Sequence, residues 1–181
     1  VFTDFPADKT FLPQLAELSE FVARVLKEGG LLVSYSGQFY LDKVMSAFGN
    51  HLTYRWMCAS TWSGDGNLSH QRNVIGKWKP LVVYSKGDWK KRANWVDVSH
   101  VESKEKLWHP WQQPRAEVDF WIRQFSEPGD LVVDPCGGGF TTAVACLRNN
   151  RRFIGCDVDA ICVEKGDQRL AAELEGNEGA A

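Results

Sequence analysis

Hydrophobic and polar positions alternate along this chain with two different periods. Phe11, Leu12, Leu15, Leu18, Phe21, Val22, Val25 and Leu26 recur at helical spacing, and Gly29-Gly30 ends the run. The spacing predicts a helix, with Asp8 or Thr10 placed to cap its start. Residues 31–35 form a short apolar run after that glycine stop and read as a buried strand, and 38–48 as a second helix. Residues 52–62 and 80–84 are rich in β-branched and aromatic side chains and predict two more strands. Between them 63–73, rich in Gly, Ser and Asn, reads as loop. Pro114 opens a helix through Phe125, with Val118, Trp121, Ile122 and Phe125 on one face. A turn at 127–130 leads to a strand at 131–133, a glycine loop, a helix at 141–148 and a strand at 153–156. A last helix spans about 160–174, and the small, polar tail 175–181 is expected to fray. Strands alternating with helices give one α/β domain over 1–174 with a doubly wound, mostly parallel sheet.

Composition adds bounds. A chain of 181 residues, 44% apolar, is long enough for one domain with a sizeable core. A net charge of −2 argues against a protein that coats nucleic acid uniformly, but leaves room for a local basic patch. The five cysteines (Cys58, Cys136, Cys146, Cys156, Cys162) include no C-x-x-C pair, and none lies beside a histidine at ligand spacing. No metal site is expected, and reduced, buried thiols in a cytoplasmic protein are. No apolar run approaches the ~20 residues that span a bilayer, and no signal peptide is visible, so no membrane partner is expected. The chain opens on Val1-Phe2-Thr3 rather than Met, as a segment of a longer, multidomain protein would.

Chemistry concentrates in Val132-Val133-Asp134-Pro135-Cys136-Gly137-Gly138-Gly139-Phe140-Thr141-Thr142, a strand, a glycine turn and a helix start. That arrangement lets a ligand approach backbone at the carboxyl end of a strand. Asp157 follows 23 residues after Asp134, at the end of the next strand, where a carboxylate reaches ribose hydroxyls. A dinucleotide's pyrophosphate would be repelled by Asp134 at the strand end, and no lysine completes a Walker-type phosphate loop. A cofactor carrying an ammonium and a sulfonium would be attracted instead. S-adenosylmethionine fits that description. A tight turn with helix-capping aspartates is the plainer alternative.

Upstream stands Leu107-Trp108-His109-Pro110-Trp111-Gln112-Gln113-Pro114, then a helix, then Asp134-Pro135. This resembles the His-Pro-x-Gln-Lys-Pro segment that precedes the Asp-Pro-Phe-x-Gly-x-Gly-Thr-Thr loop of DNA adenine-N6 and cytosine-N4 methyltransferases. Arg152-Phe153-Ile154-Gly155-Cys156-Asp157 is similar to that family's next strand. Thr3-Asp4-Phe5-Pro6-Ala7, a helix and Val25 to Val33 resemble its catalytic loop, helix and Leu-Lys-Pro-Gly-Gly turn. The order, catalytic motif first and cofactor motif last, is that of the permuted, β-type group.

The resemblance implies a Rossmann-like methyltransferase fold, S-adenosylmethionine as cofactor, double-stranded DNA as partner and a bacterial or phage-encoded source. Asp134 would bind the methionine ammonium, with Cys136, Gly137 and Gly138 passing close to the cofactor and Asp157 holding the ribose. Gln112 falls in a segment that closes over the cofactor, and Thr141 and Thr142 cap the helix beneath it. Asp4 and the Pro6 carbonyl would accept hydrogen bonds from the exocyclic amine of a flipped-out adenine, or less readily cytosine, with a ring stacked on the base. Phe5, Ala7, Gln113 and Phe140 depart from the family's pattern. Phe5 would have to swing round to supply that ring, and Phe140 stands where the family turns on glycine. A methyltransferase-like module that binds DNA or cofactor without transfer is the rival reading.

Residues 72–92 hold Arg72, Lys77, Lys79, Lys86, Lys90, Lys91 and Arg92 against Asp88 alone, a net +6 on a chain whose remainder sums to −8. Such asymmetry suits a phosphate-contacting face. Arg72, Lys77, Lys79, Lys90, Lys91 and Arg92 are the candidate DNA contacts, within a target-recognition insertion at 63–108. The segment is short, so sequence-specific readout would call on a second copy of the chain or a flanking domain.

Overall fold

Glycine sets the first reversal of the chain. Gly29 takes a left-handed φ of 74° and donates from its N–H to the Lys86 carbonyl at 2.8 Å, while Lys86 donates back to Gly30 at 3.0 Å. A Cβ on Gly30 would meet the Lys27 carbonyl at 2.8 Å, so the turn closes only on a residue without one. In the computed structural model, which describes residues 1–6, 9–63, 65–90, 94–101 and 112–178, this turn joins the first helix to the sheet. The chain divides into two compact units: Val1 with Thr3–Glu102, and Phe2 with Ser103–Ala181.

The first unit runs β1 (Phe2–Thr3), a short 3-10 turn (Leu12–Gln14), α1 (Leu15–Val25), β2 (Leu31–Tyr35), α2 (Leu41–Gly49), β3 (Thr53–Trp62), β4 (Asn67–Ser69), β5 (Val74–Gly76), β6 (Trp78–Ser85) and β7 (Val98–Val101). Five strands pair in the order β1-β2-β6-β3-β7. β6 is antiparallel to both neighbours, with Tyr35 opposite Leu81 and Ser60 opposite Lys79, whereas β3 and β7 are parallel. The α/β class holds, but the sheet is mixed rather than mostly parallel. The cause is the β4–β5 hairpin, which doubles the chain back after β3 so that β6 returns beside it. The stretch read as loop therefore carries β4, its Leu68 opposite Ile75. β6 also lies inside the supposed insertion 63–108 and is a central strand, which narrows any insertion to the hairpin and to residues 86–108.

α1 buries Leu15, Leu18, Ser19 and Val22. Ser19 Oγ bridges it to α2 by donating to the Ala47 carbonyl at 2.9 Å, with His51 Nδ1 at 3.0 Å. Beneath the helices β2 and β6 contribute Leu32, Tyr35, Leu81, Val82, Val83 and Tyr84, all buried.

The second unit runs α3 (Arg115–Phe125), β8 (Leu131–Asp134), α4 (Thr141–Arg148), β9 (Arg152–Gly155) and α5 (Ala160–Glu178), with β8 and β9 parallel. α5 continues past 174, so the expected fraying does not begin there. Val118, Trp121 and Ile122 of α3 are buried, and α4 is buried all round from Thr141 to Cys146. Among the described residues no helix is long and apolar enough to cross a membrane.

Candidate functional site

The glycine loop leaves β8 at Asp134 and enters α4. Asp134 is buried, and its carboxylate organises the loop: Oδ1 accepts the Cys136 N–H at 3.0 Å and Oδ2 the Thr142 hydroxyl at 2.7 Å. Across the turn Asp157 Oδ2 accepts the Gly138 N–H at 2.7 Å, and Oδ1 accepts the Asp159 N–H at 2.9 Å. Gly137 donates to the Cys156 carbonyl at 2.8 Å, tying the loop to the end of β9. The geometry thus brings together Asp134, Cys136, Gly137, Gly138 and Asp157. Gln112 is buried just before α3.

Phe140 is the departure within this loop, and the structure accounts for it. It adopts φ 52°, ψ 33° as the N-cap of α4, a left-handed conformation that costs a bulky residue of order 1–3 kcal/mol. The ring is buried, however, edge-on to Phe153 with centroids 6.2 Å apart. It fills the space that Cβ atoms would take on Gly137 and Gly166, 2.8 and 2.6 Å from the positions those atoms would occupy. Glycine at two neighbouring positions is what admits phenylalanine at 140. Thr141 differs from expectation: no side chain caps α4, and Thr141 Oγ1 instead accepts from Arg169 Nη1 at 3.1 Å. The same guanidinium donates to the Gly139 carbonyl at 2.5 Å. Arg169, only 5% exposed, is a buttress behind the loop that the sequence alone does not reveal, for nothing in the polar pattern of the last helix singles it out.

The N-terminal loop presents a third carboxylate. Asp4 follows β1, and both its oxygens accept from Lys79 Nζ, at 2.7 and 2.9 Å. The ammonium sits 4.7 Å from the centre of the buried Tyr35 ring, held between that face and the carboxylate. Both side chains of the pair are about three-quarters buried (Lys79 23%, Asp4 24% exposed). Pro6 is exposed beside them. Phe5 is not available for stacking on a base: it is 3% exposed, stacked on Phe11 at 5.4 Å and edge-on to Phe48 at 6.1 Å. The apolar ring is taken into the core between Phe11, just ahead of the 3-10 turn, and Phe48 of α2. Ala7 lies outside the described residues.

Comparison with known proteins decides the family. The N6/N4 DNA methylase model matches residues 2–166. The chain belongs to the DNA methylase family. This methylase is similar to the type II methyltransferase M.HpaI of Haemophilus parainfluenzae, 24% identical over 179 residues that cover 84% of this chain and 57% of that one. It also resembles the DNA adenine methyltransferase YhdJ of Escherichia coli (strain K12), 39% identical over 62 residues, 34% of this chain and 21% of YhdJ. Curated relatives matched over more than four-fifths of this chain are themselves spanned over 57 to 70% of their length. Among solved structures, M1.HpyAVI in complex with SAM superposes with a TM-score of 0.76 at 21% identity, covering 93% of this chain and 86% of that one. The methylase thus has the methyltransferase fold.

The basic segment resolves into separate places. Lys79 is not part of a phosphate-facing row, since it is the partner of Asp4. Arg72 stands in the turn between β4 and β5 with its guanidinium 4.6 Å over the Phe39 ring. Lys77 and Lys90 are exposed, and Lys91 and Arg92 lie outside the described residues, as does His109. Leu68, Val74 and Ile75 on the hairpin are each more than half exposed, an apolar surface flanked by Arg72 and Lys77. Trp56, Trp89 and Trp95 form one cluster of tilted and edge-on rings, with Trp56 Nε1 donating to Asp97 at 2.9 Å. Packing among themselves accounts for these indoles.

Proposed function

We propose that this methylase transfers a methyl group from S-adenosylmethionine to the exocyclic amine of a base in double-stranded DNA, adenine before cytosine. The observation that carries the reading is a glycine loop held between two carboxylates. The residues present suit that cofactor. Asp134 supplies negative charge for the ammonium, and Asp157, at the end of the neighbouring strand, supplies a carboxylate for the ribose hydroxyls. When bound, S-adenosylmethionine supplies a methyl carbon made electrophilic by its sulfonium. Asp4 and the Pro6 carbonyl accept the two amine protons and so aim the nitrogen lone pair. Transfer would exchange the C–S bond of the bound cofactor for an N–C bond, the electron pair staying on sulfur, with Asp4 and the Pro6 carbonyl holding the amine in line. The nitrogen then sheds one proton to solvent. Positioning accounts for most of such a rate.

Adenine stands first because an acidic residue occupies position 4 and because a 62-residue segment is 39% identical to a protein named as an adenine methyltransferase. The hairpin surface of Arg72 and Lys77, with Lys90, is the DNA-facing side. Burial of Phe5 favours a second reading, binding without transfer, because it withdraws the loop's ring from the base. Incubation with tritiated S-adenosylmethionine and unmethylated DNA separates the two. Label that enters DNA and falls by about 100-fold or more in Asp4→Ala supports the enzyme. Calorimetric cofactor binding with no label supports the binding module, and absence of both defeats each reading.

A further inference from the structure

We infer that Lys79 is a specificity-determining residue that, together with Asp4, reads the Watson–Crick edge of the target base; the inference rests on the amine-methylating function proposed above. An ammonium carries three protons, and the two contacts at 2.7 and 2.9 Å direct it along the Asp4 carboxylate. The result is a fixed acceptor-and-donor pair at the loop that receives the amine. Lys79 is not free to drift. Its backbone lies in β6 opposite Ser60, and its ammonium is confined by the Tyr35 ring at 4.7 Å. The neighbouring Pro80 carbonyl accepts the Ser36 N–H at 2.9 Å, which pins the end of β2 to the same strand.

A flipped base is read through its Watson–Crick edge. Adenine presents an amine donor beside the N1 acceptor, and cytosine an amine donor beside the N3 acceptor. Guanine and thymine present the reverse, a carbonyl acceptor beside an N–H donor. Asp4 accepting and Lys79 donating match the first pair of bases and oppose the second. A carbonyl placed against the carboxylate would leave two acceptors facing each other and a largely buried ammonium facing an N–H. Lys79 therefore selects amino bases over keto bases without distinguishing adenine from cytosine. A role confined to orienting Asp4 makes a different prediction, because such a lysine would not sense the ring nitrogen.

The test uses two DNA duplexes that differ only at the methylated base, adenine against 1-deazaadenine, which keeps the amine and replaces N1 by C–H. If nucleoside analysis places the label on cytosine, the pair is cytosine against 3-deazacytosine. The wild-type protein is expected to prefer the parent base by about 10- to 100-fold in kcat/KM. Lys79→Met is expected to treat the two duplexes within about threefold of each other, and Lys79→Arg to keep most of the preference. Wild-type protein that methylates both duplexes equally overturns the inference without recourse to any variant. So does Lys79→Met with lowered activity but undiminished preference, the signature of a merely orienting role. Wild-type protein that labels no DNA defeats the underlying function and this inference with it.

Discussion

The glycine loop and the Asp4 loop both depart from the pattern of their family, and the two departures have opposite consequences. At 140 a phenylalanine occupies a left-handed position, yet its ring is absorbed by the missing side chains of Gly137 and Gly166, and the loop keeps both its carboxylates in place. At 5 a phenylalanine is absorbed just as well, between Phe11 and Phe48, but absorption there leaves the Asp4 loop without the ring that the proposed function would use on a base. The lesson is that a substitution tolerated by packing is neutral for a backbone-built site and costly for a side-chain-built one. On the function proposed above, the glycine loop would act through N–H groups and two carboxylates, whereas the Asp4 loop would act through side chains that point outward.

The comparison can be broken most forcefully at Asp134. Asp134→Ala leaves the Thr142 hydroxyl and the Cys136 N–H without their acceptor and removes the negative charge facing the cofactor. Calorimetry is expected to show cofactor affinity reduced by about 100-fold or more, with lowered thermal stability from the two groups left unmet. Retained affinity would mean that the loop is not the cofactor site.

Phe140→Gly restores the family's residue and relieves the left-handed strain, yet it empties a buried ring site. Loss of a buried phenylalanine costs about 3–5 kcal/mol, against of order 1–3 kcal/mol of strain recovered. A net fall of several degrees in Tm is expected by scanning calorimetry. A rise would show that the ring contributes little and that the strain dominates.

Phe5→Leu sharpens the other half. If the ring only packs, the variant loses about 1 kcal/mol of stability and keeps its turnover within a few-fold at a temperature where it is folded. A fall in turnover by about two orders of magnitude with intact folding would show that the ring leaves the core to stack on DNA.

The smallest effect is a titration. Burial, and next the nearby Asp134 charge, push the Cys146 thiol up from 9.0 to about 12. The folded state therefore holds its proton where the unfolded chain would release it. The stabilisation is complete below about pH 9 and is lost as pH rises toward 12. Iodoacetamide at about pH 8 is expected to spare Cys146 while alkylating the exposed Cys156, as mass spectrometry of the digested protein would report.

Much of this was legible in the chain. Helical spacing located α1, which carries an apolar stripe, and the glycine loop ahead of Thr141 located α4 at its observed ends. That Asp134, Gly138 and Asp157 lie together was legible because two adjacent strands, each ending in an aspartate and separated by a glycine turn and a helix, bring their carboxyl ends side by side. β4, β5 and β7 were not, since strands of three or four residues with one exposed face carry too few positions to show a period. The pairing of Lys79 with Asp4 was hidden more deeply. The two residues lie 75 apart in sequence, and among seven basic side chains in 72–92 only the register of β6 selects this one.

That register has a consequence for how the family diversifies. β6 is clasped on both sides by antiparallel partners: Lys79 stands opposite Ser60 in the ladder with β3, and the ladder with β2 begins two residues further on, at Leu81. Residues 63–77 are in this sense a cassette. On the function proposed above, exchanging them for the corresponding stretch of another member is expected to change which DNA is preferred while leaving the contact of Lys79 with Asp4 in place.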